Sequence, residues 1–235
     1  MEAHKLLAEY ANGRRDFHEA LLREANLEGC ALPKINLVAS DLRETNFSTT
    51  NLSRSLLGYA NLKWSDLSQA NLESANLIAA HLMGSNLILA EMSLVNLKKA
   101  NLSWAKLIGA NLMKANLEQA ILADAKLISA DLQGANLFKA SFREANLTMA
   151  NLAHANLEKA DLTEAKLGGA NLQGANLRGA TLCKANLEGA DLSGADLSGA
   201  DLSEANLCDA KGANIKQAIT NRSILFCLRK RTLNN

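Results

Sequence analysis

Four histidines, four cysteines and 24 carboxylates are the residues that could support metal binding, redox chemistry or proton transfer. Cys30, Cys183, Cys208 and Cys227 show no C-x-x-C spacing, so the chain encodes neither a zinc site of that type nor a dithiol pair. This pattern suits free thiols in a reducing compartment. His4, His18, His81 and His154 are too scattered to form a metal cluster. No glycine loop of the phosphate-cradling kind is present, and neither is the Gly- and Asp-rich repeat that binds calcium in some β-helices. Asp191, Asp196 and Asp201 stand five apart, in the slot where other five-residue copies carry Asn. They belong to a repeat rather than to a carboxylate pair. The reading is therefore of a chain that is not an enzyme, with no catalytic, cofactor or metal site.

That repeat organises most of the chain. Stepping by five from Phe17 to Leu207, all 39 landing residues are large and apolar: 35 Leu, Phe17, Phe47, Phe142 and Met92. Two places before nearly every centre the residue is small, and it is Ala at all 23 steps from Ala100 to Ala210. The middle residue between them is Asn 20 times and Asp eight times. A period of five fits neither an amphipathic helix nor a long strand, but it fits a solenoid of short sides. Side chains alternate along an extended segment, so the small residue and the Leu point inward and the Asn or Asp points out. The other two residues turn a corner, where Asn or Asp can bond local main chain.

Dozens of consecutive copies such as Ala175-Asn176-Leu177-Arg178-Gly179 resemble the pentapeptide repeat family. The Tyr10–Phe17 opening resembles those of cyanobacterial members. The resemblance implies an all-β fold, a right-handed quadrilateral β-helix solenoid. Four sides per coil would stack residues 20 apart, which puts Lys106, Lys126 and Lys166 on one side. At about 4.8 Å between stacked strands, nearly ten coils make a rod roughly 45 to 50 Å long.

The expected organisation is a capping helix and turn over 1–16, a rod over 17–210 and a basic cap or tail over 211–235. In the first segment Ala3, Leu6, Leu7 and Tyr10 share a helical face, and Gly13 follows where the helix would stop. Between Phe17 and Val95 the small slot also holds Cys30, Ile35, Ser40, Thr45, Thr50, Ser55, Ser65 and Ser85, which are expected to alter coil width. The net charge is +1, with six bases and no acid in the tail, leaving −5 on the remainder. No apolar run approaches a membrane span, and the first residues lack a secretory pattern, so the protein reads as cytoplasmic.

Outward positions should be polar, yet Trp64, Met83, Ile88, Leu89, Trp104, Ile108, Ile121, Ile128 and Met149 fall on two adjoining sides of the expected coil. With Lys106 and Lys126 at its border, this surface is the candidate partner-binding patch, and Gly84 leaves room for the tryptophan rings. Three lysines without a track of interleaved aromatics argue against nucleic acid. The function expected is a regulatory protein–protein interaction scaffold whose partner is an unknown protein or a second copy. The family resemblance supports regulation, since one filamentous-cyanobacterial member affects cell differentiation. It also implies two alternatives. One is a DNA-mimicking, gyrase-interacting protein like the quinolone-resistance members, for which the body's charge is too weak; the other is a purely structural rod.

Overall fold

The computed structural model describes residues 2–220. One helix, α1 (Ala3–Ala11), precedes the repeats. Parallel bridges join each middle residue to the one 20 positions on, from Asp16↔Asn36 to Asp191↔Lys211. Four repeats therefore complete one coil, and the middle residues form four columns. We number the sides from the coil that carries Asn101, Lys106, Asn111 and Asn116, in that order. Each repeat contributes an isolated bridge, and no longer strand forms among the described residues. The turn takes two of every five residues and leaves no room for one.

The backbone hydrogen bonds explain the residue preferences amide by amide. Around Asn46, the Asn46 amide donates to Ala25 O of the preceding coil at 2.9 Å. The Phe47 and Thr49 amides donate to Asp66 O and Ser68 O of the following coil at 2.7 and 2.9 Å. The Thr50 amide closes the turn on Phe47 O at 3.0 Å. That leaves the first corner residue, Ser48, whose amide donates to Asn46 Oδ1 at 2.9 Å. The middle residue is Asn or Asp because its side-chain oxygen accepts from the one amide the coils cannot use. At Ala31 no such oxygen exists, and the first corner residue is Pro33, which has no N–H to satisfy.

The second corner residue has positive φ in every repeat from Glu19 to Asp209, and in 29 of these it is not glycine. This is the conformation a type II turn requires at its third residue, and Pro33 occupies the second position, where proline is favoured. Inside, the centre residues and alanines are almost wholly buried. Each buried Leu adds about 1.5–3 kcal/mol of transfer free energy, so the thin core is stabilised by repetition. The hydroxyls of the N-terminal coils lie in this core, and all but Ser55 Oγ, which has no partner, bond to carbonyls, as Thr45 Oγ1 does to Leu22 O at 2.8 Å and Ser65 Oγ to Leu62 O at 2.7 Å. They keep the 20-residue register unchanged, as do Ile35 and Val95.

Helix α1 covers the first coil with buried Leu6 and with Ala3, Leu7 and Tyr10 packed on the core. Tyr10 Oη donates to Pro33 O at 2.7 Å, and the Arg15 guanidinium lies 3.8 Å from the Tyr10 ring centre. Gly13, at φ +96°, follows the helix. At the other end Lys211 keeps the register, but Ile219 bridges Asp201 only 18 residues away, so the last turn is two residues short. Residues 223–228, the basic run 229–231 and Cys227 lie outside the described residues. Cys30 and Cys183 are free thiols.

Candidate functional site

The amide that the middle side chain caps also decides where the surface departs from the repeat. On the first side the column runs Asn61, His81, Asn101, Ile121, Ser141; on the second, Asp66, Asn86, Lys106, Lys126, Asn146, Lys166. Lys106 and Lys126 bridge each other directly in adjacent coils, and both are exposed without an ion pair. Lys166 lies two coils further along the same column. The fourth side is a control: Asn176 donates to Asn156, Asn156 to Asn136 and Asn136 to Asn116 at 3.1 to 3.2 Å, an unbroken amide ladder.

Second corner residues lean toward the following coil, and glycine there makes room for them. The Trp64 ring lies over Gly84, where a Cβ would collide with it. Leu89 lies over Gly109 and Met149 over Gly169 in the same way, with added Cβ atoms 2.8 Å from Leu89 Cδ2 and 2.6 Å from Met149 Sδ. Trp104 meets Asp124 instead, and its Nε1 donates to Asp124 Oδ2 at 3.1 Å. These side chains are held flat along the rod by their neighbours.

The residues singled out in the sequence are thus brought to two adjoining sides. Trp64, Leu89, Trp104 and Met149 are 57, 59, 53 and 63% exposed, and Ile121 is 43% exposed. Met83, Ile88, Ile108 and Ile128 are half-buried and fill the surface between them. A second apolar surface went unremarked in the sequence. Exposed Leu56 and Tyr59 lie on the fourth side with half-buried Val38 and Ile78 in the flanking coils, and Leu94 is exposed on the third. Leu56 in a middle slot was the available signal for it.

Charge is uneven around the rod. The corner column that carries Trp64 and Trp104 continues as Asp124, Glu144 and Glu164. Among the described residues no group of three His, Cys, Asp or Glu is placed to hold a metal ion, and no helix is long and apolar enough to cross a membrane.

The family model for pentapeptide repeats, in 8 copies, matches residues 20–58, 60–98, 100–137, 140–179 and 175–211. The chain belongs to the pentapeptide repeat family. Among solved structures it is similar to HetL, a pentapeptide repeat protein involved in heterocyst differentiation regulation from the cyanobacterium Nostoc sp. strain PCC 7120. The two are 36% identical over 93% of this chain and 99% of HetL, with a TM-score of 0.67. A pentapeptide repeat protein from the Arabidopsis thaliana thylakoid lumen is 29% identical over 44% of this chain and 66% of its own, with a TM-score of 0.31. Full-length QnrB1, a plasmid-mediated fluoroquinolone resistance protein, is 20% identical over 92% of this chain and 99% of its own, with a TM-score of 0.41. No curated protein matches the chain.

Proposed function

We propose that this pentapeptide repeat chain is a right-handed four-sided rod that acts without catalysis, as a regulatory protein-interaction scaffold in the cytoplasm. Segment 1–16 serves as its cap and 17–210 as its binding body. The observation that carries this reading is the apolar surface on the first and second sides, where Trp64, Leu89 and Trp104 stand exposed beside Ile108 and Ile128. Trp64 and Leu89, held over glycine corners, and Trp104, held by Asp124, lose little freedom on binding, and aromatic anchors of this kind dominate interface energetics. The similarity to HetL supports a regulatory role, since HetL is involved in the regulation of heterocyst differentiation.

The test is replacement of HetL by this chain in Nostoc, scored by heterocyst frequency. Restoration by the native chain and failure of a stably folded Trp104→Ala/Ile108→Glu variant are the expected results. Restoration by both would remove the patch from the function, and restoration by neither would count against a HetL-like role.

A further inference from the structure

We propose that the Lys106–Lys126 region of the second side is a receptor for carboxylate side chains, and that the partner it takes is an acidic, partly apolar peptide segment of another protein. This rests on the scaffold reading above and names the chemistry of the partner.

In a standard repeat the amide of the first corner residue is capped from within, as Ile88 N–H is by Asn86 Oδ1 at 3.3 Å and Thr148 N–H by Asn146 Oδ1 at 3.1 Å. Between those two coils the middle residues are Lys106 and Lys126, which have no acceptor oxygen. The amides of Ile108 and Ile128 are consequently left without a protein acceptor, one coil apart. The same holds for Gly168 after Lys166.

Two outward N–H donors about 4.8 Å apart, each beside an unpaired ammonium, are complementary to an oxyanion. The chain itself indicates which one. On the same side Asp66 Oδ1 accepts from Ser68 N–H at 2.9 Å, so a carboxylate oxygen fits this position. A partner's Asp or Glu would supply the oxygen that the two lysine repeats omit.

The surroundings favour a peptide over a nucleic acid or a phosphate-rich surface. Trp104, Ile108 and Ile128 offer apolar contact on either hand. The adjoining corner column of Asp124, Glu144 and Glu164 would repel an extended polyanion, whereas an isolated carboxylate between apolar side chains avoids it.

The experiment is amide NMR on the isotope-labelled full chain, titrated with a synthetic peptide of alternating Glu and Leu. The comparison titrants are the same peptide with Gln for Glu, inorganic phosphate and single-stranded DNA. The Ile108 and Ile128 resonances should move with the Glu peptide, and the Gln peptide should bind at least about tenfold more weakly, as expected for losing charge-assisted bonds. The Lys106→Asn/Lys126→Asn variant restores the family cap and removes both charges. It should melt no lower than the native chain and lose the response. Lys106→Gln/Lys126→Gln removes the charges with less effect on the corner and should also bind at least about tenfold more weakly.

Resonances that stay still, equal binding of the Glu and Gln peptides, or unchanged binding by folded variants would overturn the proposal. So would tighter binding of phosphate or DNA at these amides. If Trp104→Ala/Ile108→Glu abolishes HetL replacement while the Asn variant replaces HetL normally, the scaffold reading stands and the acidic partner falls. If the peptide binds as expected and the chain never replaces HetL, the carboxylate site stands and the HetL-like role falls.

Discussion

At the residue scale, each repeat depends on two local devices, the Asx cap and the positive-φ corner. Gly179 isolates the second, because its φ is +61° and an added Cβ would find only Lys159 Cγ, at 3.6 Å. Gly179→Ala therefore tests conformation without collision, and its cost, set by the left-handed backbone, should be about 1 kcal/mol. Glu144, at φ +58°, is the converse. Glu144→Gly should raise stability by about 0.5–1 kcal/mol, the relief of backbone strain exceeding the greater unfolded-chain freedom of Gly. Denaturant melts of the two variants check both signs. The Asx cap has a pH signature at Asp191, where hydrogen bonds from Gln173 and Ser193 hold the carboxyl down at about 2 against an ordinary 3.8. A depressed folded pKa means that the contribution is present above the ordinary value and is lost as pH falls from 3.8 towards about 2. Asp191→Asn keeps an oxygen for the Ser193 amide but does not titrate, so its stability should fall less steeply across that window in acid melts.

At the element scale, α1 and the first coil form one packed unit. Leu6 is fully buried against the coil, and Tyr10 Oη reaches Pro33 O across 23 residues. Tyr10→Phe should cost about 1 kcal/mol, the usual worth of one hydrogen bond. Leu6→Glu should do more, since it places an unpaired charge over the open core and uncovers bridging backbone; size-exclusion chromatography should then show association. The coil was legible in the sequence because its period repeats without a break and because Leu and Ala differ so sharply from Asn and Asp. The helix was legible from Ala3, Leu6, Leu7, Tyr10 and Gly13. The backbone conformation of the corners was not, because residues as different as Trp64, Lys139 and Glu144 adopt the same positive φ that glycine would announce. Of the candidate patch, the placement on two sides followed from the 20-residue spacing. The uncapped amides beside Lys106 and Lys126 became visible only once the hydrogen bonds of the neighbouring repeats were known.

At the scale of the whole molecule, the rod's charge separates two uses of this fold. A protein that imitates duplex DNA needs a dense acidic surface to stand in for phosphates. Here the tail is basic and the body has only −5, with an exposed lysine row on the second side. DNA supercoiling by gyrase should therefore proceed unchanged when this chain is added, and inhibition in that assay would return the mimic to favour. The remaining question is whether the apolar sides meet a second copy or a different protein. Residues of the second-side patch cluster around paired lysines, and like charges brought together by a symmetric face-to-face dimer would repel. The chain should therefore not dimerise through this face. Light scattering of the native chain and of Ile108→Glu decides the point, because a glutamate there would break a dimer packed on the patch. Equal molar masses are expected, leaving the surface free for an acidic partner. A native dimer split by Ile108→Glu would mean that the patch is spent on self-association, and Lys106 and Lys126 would then have to find their carboxylates on the other copy.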